Sequence, residues 1–129
     1  MMGSSNPVKT NIGTLHGRDA IYLDRCTQAA QQLEFEGEIN GALCSDPSRD
    51  KFWLAYRIRF LSVQAFEARD LELCRWPTTS SFDEVSDSEW LRSLGVSAQH
   101  NHYIISTYDL VYQIAATGFE FEIINQRPA

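Results

Sequence analysis

The chain is expected to fold as a mainly β protein: an antiparallel β-sandwich or half-open barrel of about six to seven strands with one short helix (87–94). Three observations carry this expectation. Short stretches alternate apolar and charged residues one for one, most clearly Leu33-Glu34-Phe35-Glu36-Gly37-Glu38-Ile39 and Phe119-Glu120-Phe121-Glu122-Ile123. A period of two gives a strand one buried and one wet face. Turn signals such as Asn40-Gly41 and Thr117-Gly118 punctuate these runs. Start and stop signals for a helix coincide only around residues 87–94.

Residues 1–10 are polar and carry Ser, Asn and Pro, so a flexible N-terminal tail is expected, with 11–129 a single β-rich domain. Ala20–Asp24 reads as a first strand and Leu33–Ile39 as a second. Between them, Thr27-Gln28-Ala29-Ala30-Gln31-Gln32 suits helix as well as turn, and residues 26–32 stay open between the two. Ser45-Asp46-Pro47-Ser48 marks a surface loop.

Phe52, Leu54, Tyr56, Ile58 and Phe60 then alternate with Trp53, Ala55, Arg57, Arg59 and Leu61, which favours a long central strand. A helical template also catches Phe52, Tyr56, Phe60 and Val63. At Ser62-Val63 the parity slips, as a bulge or bend would produce. Glu67–Asp70 closes this segment, and Trp76-Pro77-Thr78-Thr79 is a further turn.

For the helix, Ser86 and Glu89 have capping-box spacing, and Val85 and Trp90 are placed as a hydrophobic staple. Asp87 and Glu89 suit the positive end of the helix dipole, and Gly95 stops the helix after Leu94. The last third reads as a three-strand meander: His102–Thr107, a turn at Tyr108-Asp109, Val111–Ala116, and a tight reversal at Thr117-Gly118 into Phe119–Ile124.

At 129 residues, with 43% hydrophobic and 12% aromatic content, the chain matches one globular domain able to bury its own core. It has no run of roughly 18 apolar residues. Its N-terminus lacks the apolar centre of a secretory signal, and Pro7 occupies the position where myristoylation wants Ser or Thr. A cytoplasmic location is expected. Cys26, Cys44 and Cys74 are widely spaced and form no C-x-x-C pair, which suits free thiols in a reducing compartment. The net charge of -6 disfavours phosphate-backbone binding, so no nucleic-acid partner and no membrane partner is expected. A basic protein partner fits better.

Candidate chemistry is sparse. Glu34, Glu36 and Glu38 share one strand face and Arg57 and Arg59 another; paired, they would form cross-strand ion pairs worth roughly 0.2–1 kcal/mol each. Asp83, Glu84, Asp87 and Glu89 place four carboxylates in one short run, suited to a partner-facing acidic knob. His100 and His102, two apart, could share a side of a strand as metal ligands do, with Asp109 or His16 as a third. These are weak metal candidates, and no cofactor is expected. Trp53 lies on the register opposite Phe52 and Leu54, so on a one-sided sheet it becomes an exposed anchor. Tyr103, Tyr108 and Tyr112 suit either a core or a pocket. No G-x-S-x-G, P-loop, G-x-G-x-x-G or H-E-x-x-H occurs, so no catalytic residue is assigned. A triad of Ser, His and Asp assembled by folding would leave no signature here.

The runs Phe82-Asp83-Glu84-Val85-x-Asp87-Ser88-x-Trp90-Leu91 and His102-Tyr103-x-Ile105-x-Thr107-Tyr108-Asp109 resemble small uncharacterised bacterial β proteins, some of them assigned as immunity proteins for polymorphic toxins. The likeness extends over roughly residues 16–124 in layout and over those two runs in detail. It implies a β fold and a bacterial origin, and transfers no site residue. The expected function is therefore a non-enzymatic protein-binding domain, immunity-like, using an acidic surface to bind a basic partner. The alternatives are a small metal-dependent hydrolase around His100, His102 and Asp109, or a small-molecule-binding β shell. A homodimer through an unpaired edge strand is also open.

Overall fold

In a computed structural model that describes residues 4–45, 53–76 and 78–124, the chain is a sandwich of two antiparallel sheets. Nine strands are present among these residues: β1 (Ser4–Pro7), β2 (Ile21–Ala29), β3 (Gln32–Asn40), β4 (Trp53–Leu61), β5 (Ala65–Asp70), β6 (Phe82–Ser86), β7 (Asn101–Ser106), β8 (Leu110–Ala116) and β9 (Gly118–Ile123). One sheet has the order β1-β6-β7-β8-β5 and the other β2-β3-β4-β9. Neither closes into a barrel. Among the described residues, no helix is long and apolar enough to cross a membrane.

The four-stranded sheet follows directly from the alternating pattern. Leu33, Phe35, Ile39, Leu54, Tyr56, Ile58 and Phe60 all point into the sandwich and are buried. Phe82, Tyr103, Ile105, Tyr112 and Ile114 meet them from the five-stranded sheet. Ring edges interlock across the layers, with Phe35 and Tyr112 centroids 4.8 Å apart at 82° and Phe60 and Phe82 6.0 Å apart at 84°. Such edge-to-face contacts add to the transfer of apolar surface out of water. Burial pushes the Tyr56, Tyr103 and Tyr112 phenols up from their ordinary value.

Sheet exchange happens at two adjacent crossings. β4 ends at Leu61, Ser62 takes a positive φ of 51°, and the chain re-enters the opposite sheet as β5. This is the bend behind the parity slip at Ser62-Val63. Thr117 returns the chain, its N–H donating to the Leu61 carbonyl at 2.9 Å. The expected meander is therefore wrong at its last step, because β9 pairs with β4 and not with β8. Both edges of β8 are taken, by β7 and β5, whereas β4 offers an edge on which Glu120 and Glu122 of β9 oppose Arg59 and Arg57.

Other expectations need correction. Residues 4–7 of the expected tail form β1, with Ser4 opposite Ser86 and Pro7 opposite Asp83, and Val8 is buried. Residues 26–32 are neither free turn nor helix: β2 runs to Ala29, a reversal with Ala30 at φ 53° follows, and β3 begins at Gln32. The strand count exceeds the expected six to seven because β1, β5 and β6 lack clean alternation. The short helix, α1 (Glu89–Leu94), starts two residues later than expected. Ser86 is held in the β1 ladder, so Ser88 caps instead, accepting from the Leu91 N–H at 3.1 Å. Asp87 makes the kink between strand and helix at φ 53°. Gly95 ends α1 at φ 72°, as expected. Phe52, Asp46, Pro47, Ser48 and Pro77 lie outside the described residues.

Candidate functional site

The outward face of the four-stranded sheet is a charge ladder. Register sets Glu34 opposite Arg59 and Glu36 opposite Arg57, and β9 adds Glu120 and Glu122 on the far side of the same arginines. Arg59 reaches Glu34 at 3.0 Å and Glu120 at 3.1 Å; Arg57 reaches Glu36 at 3.0 Å and Glu122 at 2.9 Å. Arg25 of β2 also pairs with Glu36, and the Arg25 and Arg57 guanidiniums hold that carboxyl below the usual carboxylate range. Glu34, Glu36, Glu38, Glu120 and Glu122 outnumber Arg25, Arg57 and Arg59, which leaves the face acidic.

Trp53, the first residue of β4, lies at one end of this face opposite Asn40 and is 46% exposed. Its ring meets Tyr22 edge-on at 5.1 Å, and Tyr22 stacks on Tyr108 at 4.9 Å. The Arg18 guanidinium sits 4.8 Å above the Tyr108 ring. The rigid aromatic row therefore ends in a solvent-facing indole beside a row of carboxylates.

The run 83–89 places Glu84, Asp87 and Glu89 at the surface and Asp83 inside. Asp83 is fully buried in β6 and accepts from the Thr79 and Ser80 backbone N–H groups at 2.6 and 3.2 Å. Glu84 is exposed on the same strand, opposite Asn6 and Tyr103. Asp87 pairs with Arg92 at 2.8 Å, and Glu89 lies in the first turn of α1. Strand alternation turns Asp83 inward and Glu84 outward, while Asp87 and Glu89 lie exposed beyond the end of β6.

His100, His102 and Asp109 do not converge. His100 Nε2 donates to the Ser62 carbonyl at 3.0 Å, and its Nδ1 meets Ser97 Oγ at 2.9 Å. His102 is held by Ser88 and Gln113. Asp109 is exposed in the turn beyond the other end of β7, and His16 bonds Thr14 at 3.0 Å. No group of three His, Cys, Asp or Glu side chains able to hold a metal occurs among the described residues. Between the sheets the rings of Phe35 and Tyr112, and of Phe60 and Phe82, pack edge to face in the core.

The outer face of the five-stranded sheet holds an arrangement that sequence reasoning missed. A cleft of about 270 Å³ is lined by Glu67, Arg69, Trp76, Val85, Ser88, Glu89, Trp90, His102, Ile104 and Gln113. α1 supplies the Trp90 side, with its ring 4.7 Å from that of His102. The segment after β5 supplies Trp76, which packs on Val85, Ile104 and Val111 and carries the Arg69 guanidinium 4.6 Å over its ring.

One hydrogen-bonded chain runs along this floor. Gln113 Nε2 donates to Glu67 Oε1 at 3.0 Å, which fixes the amide and leaves Gln113 Oε1 to accept from His102 Nε2–H at 2.9 Å. His102 Nδ1 then accepts from the Ser88 hydroxyl at 2.8 Å, while Ser88 accepts from the Leu91 N–H. Glu67 also accepts from Arg69 Nε at 2.8 Å, which holds its carboxyl below the usual range. Burial pushes His102 down to about 4, so the imidazole is neutral at pH 7. A hydroxyl on an imidazole nitrogen is the contact a serine nucleophile makes with its base. Here the hydroxyl is also the helix cap, accepting from the Leu91 N–H, and burial keeps the imidazole beside it neutral. In the structure β7 and β8 are buried along nearly their whole length, so the outer face that carries Ile104 and Gln113 is a covered one.

A scan of protein-family models, a search of curated proteins and a search of solved structures each return no match to this chain.

Proposed function

We propose that this protein is a non-enzymatic binding domain of the cytoplasm that recognises a basic protein partner, in the manner of immunity proteins that cover a partner's working site. The observation that carries this reading is the exposed Trp53 indole standing beside the acidic Glu/Arg ladder of β3, β4 and β9. Interface hot spots are rich in tryptophan, and surrounding charge selects and steers the partner. The ladder serves recognition better than the run 83–89, because its carboxylates all lie on one flat face. Its arginines also fix those carboxylates in place, so less side-chain entropy is lost on docking.

The test is pairwise co-purification and calorimetry with the basic products of adjacent genes. Binding is expected with a Kd that rises steeply with salt, since exposed charges are screened over about 8–10 Å near physiological ionic strength. Salt-insensitive binding, or none to any such product, overturns the reading.

A further inference from the structure

The cleft on the outer face of the five-stranded sheet lies on the opposite side of the sandwich from the acidic ladder and is independent of it. Its floor holds more polar machinery than covering a sheet requires. Gln113 is 4% exposed, and Ser88 and His102 are buried beside it. A wholly apolar floor would have served packing without desolvating these groups.

What the chain of hydrogen bonds achieves is a single orientation for the Gln113 amide. Every donor from Leu91 N–H through Ser88, His102 and Gln113 points towards the Glu67 carboxylate. A reversed amide would set its NH₂ against His102 Nε2–H and its carbonyl against a carboxylate. Each amide atom keeps one hydrogen-bonding position: Oε1 a second lone pair and Nε2 a second hydrogen. Gln113 lines the cleft, so a guest that reaches it meets an amide whose acceptor and donor are fixed in orientation. Beside it Trp76 and Trp90 line the cleft, Trp76 already carrying Arg69 over its ring, and the two indoles give an apolar wall suited to a planar guest. Of the two carboxylates that line the cleft, Glu67 is paired with Arg69 at 2.8 Å and Glu89 lies in the first turn of α1, a balance that disfavours an anionic guest. A volume of about 270 Å³ falls just below the roughly 300–1,000 Å³ of drug-sized pockets and suits one or two fused rings.

We propose that this cleft binds a neutral, flat lactam-type heterocycle, its ring packed on Trp76 and Trp90 and its adjacent N–H and C=O paired with the Gln113 amide. No bond is made or broken. The site is a receptor for the ring.

The probe is 2-quinolinone, a bicyclic lactam, titrated into the full chain while the three indole N–H signals are followed by ¹H–¹⁵N NMR. The expected result is saturable movement of the Trp76 and Trp90 signals with the Trp53 signal unmoved. 1-Methyl-2-quinolinone, which lacks the donor, and naphthalene, which lacks both polar atoms, should bind at least about tenfold more weakly. Gln113→Met should cost a similar factor, and Trp90→Ala covers the case in which Gln113→Met does not fold. Equal binding of all three compounds overturns the proposal in favour of a merely greasy groove. Absence of movement at millimolar 2-quinolinone overturns it outright.

Discussion

Gly37 passes directly beneath the backbone of Tyr22: a Cβ at Gly37 would lie 1.9 Å from the Tyr22 carbonyl oxygen. The close approach coincides with the register shift between Leu23 and Arg25, where β2 bulges over β3. Tyr56, the cross-strand partner of Gly37, sends its hydroxyl to the same carbonyl at 3.1 Å. Gly37→Ala is expected to destabilise the protein by about 2–3 kcal/mol or more, because the obstacle is backbone and cannot rotate away. Tyr56→Phe should cost only about 1 kcal/mol through the lost hydrogen bond. Urea unfolding of both variants checks the order.

Ser88 and Ser86 should respond unequally to truncation. Ser88→Ala removes the cap of α1 and the donor to His102, for a loss of about 1–3 kcal/mol. Ser86→Ala, whose hydroxyl makes an exposed contact with Ser4, should stay within about 0.5 kcal/mol. A larger effect at Ser86 would return the cap to the position its sequence spacing suggests.

Acid should weaken the fold through His102. The imidazole titrates near 6.5 when unfolded and about 4 when folded, so between these values only the unfolded chain binds the proton. Stability contributed by the neutral ring is complete above pH 6.5 and falls as pH drops towards 4. The slope is at most about 1.4 kcal/mol per pH unit, and the total about 3 kcal/mol. Urea midpoints measured from pH 7 to 4.5 should show this decline, and His102→Gln should flatten it. Glu36 and Glu67, both held below the usual carboxylate range, add their losses only at lower pH.

Trp53→Ala should cost about 0.5–1.5 kcal/mol of stability through the lost edge-on contact with Tyr22, yet weaken partner binding at least about hundredfold, as expected of a hot-spot indole. Calorimetry with the partner, beside thermal unfolding of the free variant, separates the two effects. A stability loss that matches the affinity loss would make Trp53 a structural residue.

The two-residue period was enough to place Leu33, Phe35, Ile58 and Phe60 inside and Glu34, Glu36, Arg57 and Arg59 outside, because strand parity is a local property. It also marked Trp53 as out of register with the core. The cleft was illegible. Glu67, Trp76, Ser88, His102 and Gln113 come from separate segments, and each looks ordinary beside its sequence neighbours. Asp83 and Glu84 misled for the related reason that adjacent strand residues face opposite ways.

The amino-acid order by itself thus determined the class of fold, the inward and outward faces of β3, β4 and β9, and the stop at Gly95, all set within a few residues by sterics and solvation. Only the tertiary structure decided that β9 leaves β8 for β4, that Ser88 caps in place of Ser86, and that Gln113 is locked between His102 and Glu67. Those outcomes depend on which distant group can satisfy a charge, a backbone N–H or a buried amide, and that choice exists only once the two sheets have closed on each other.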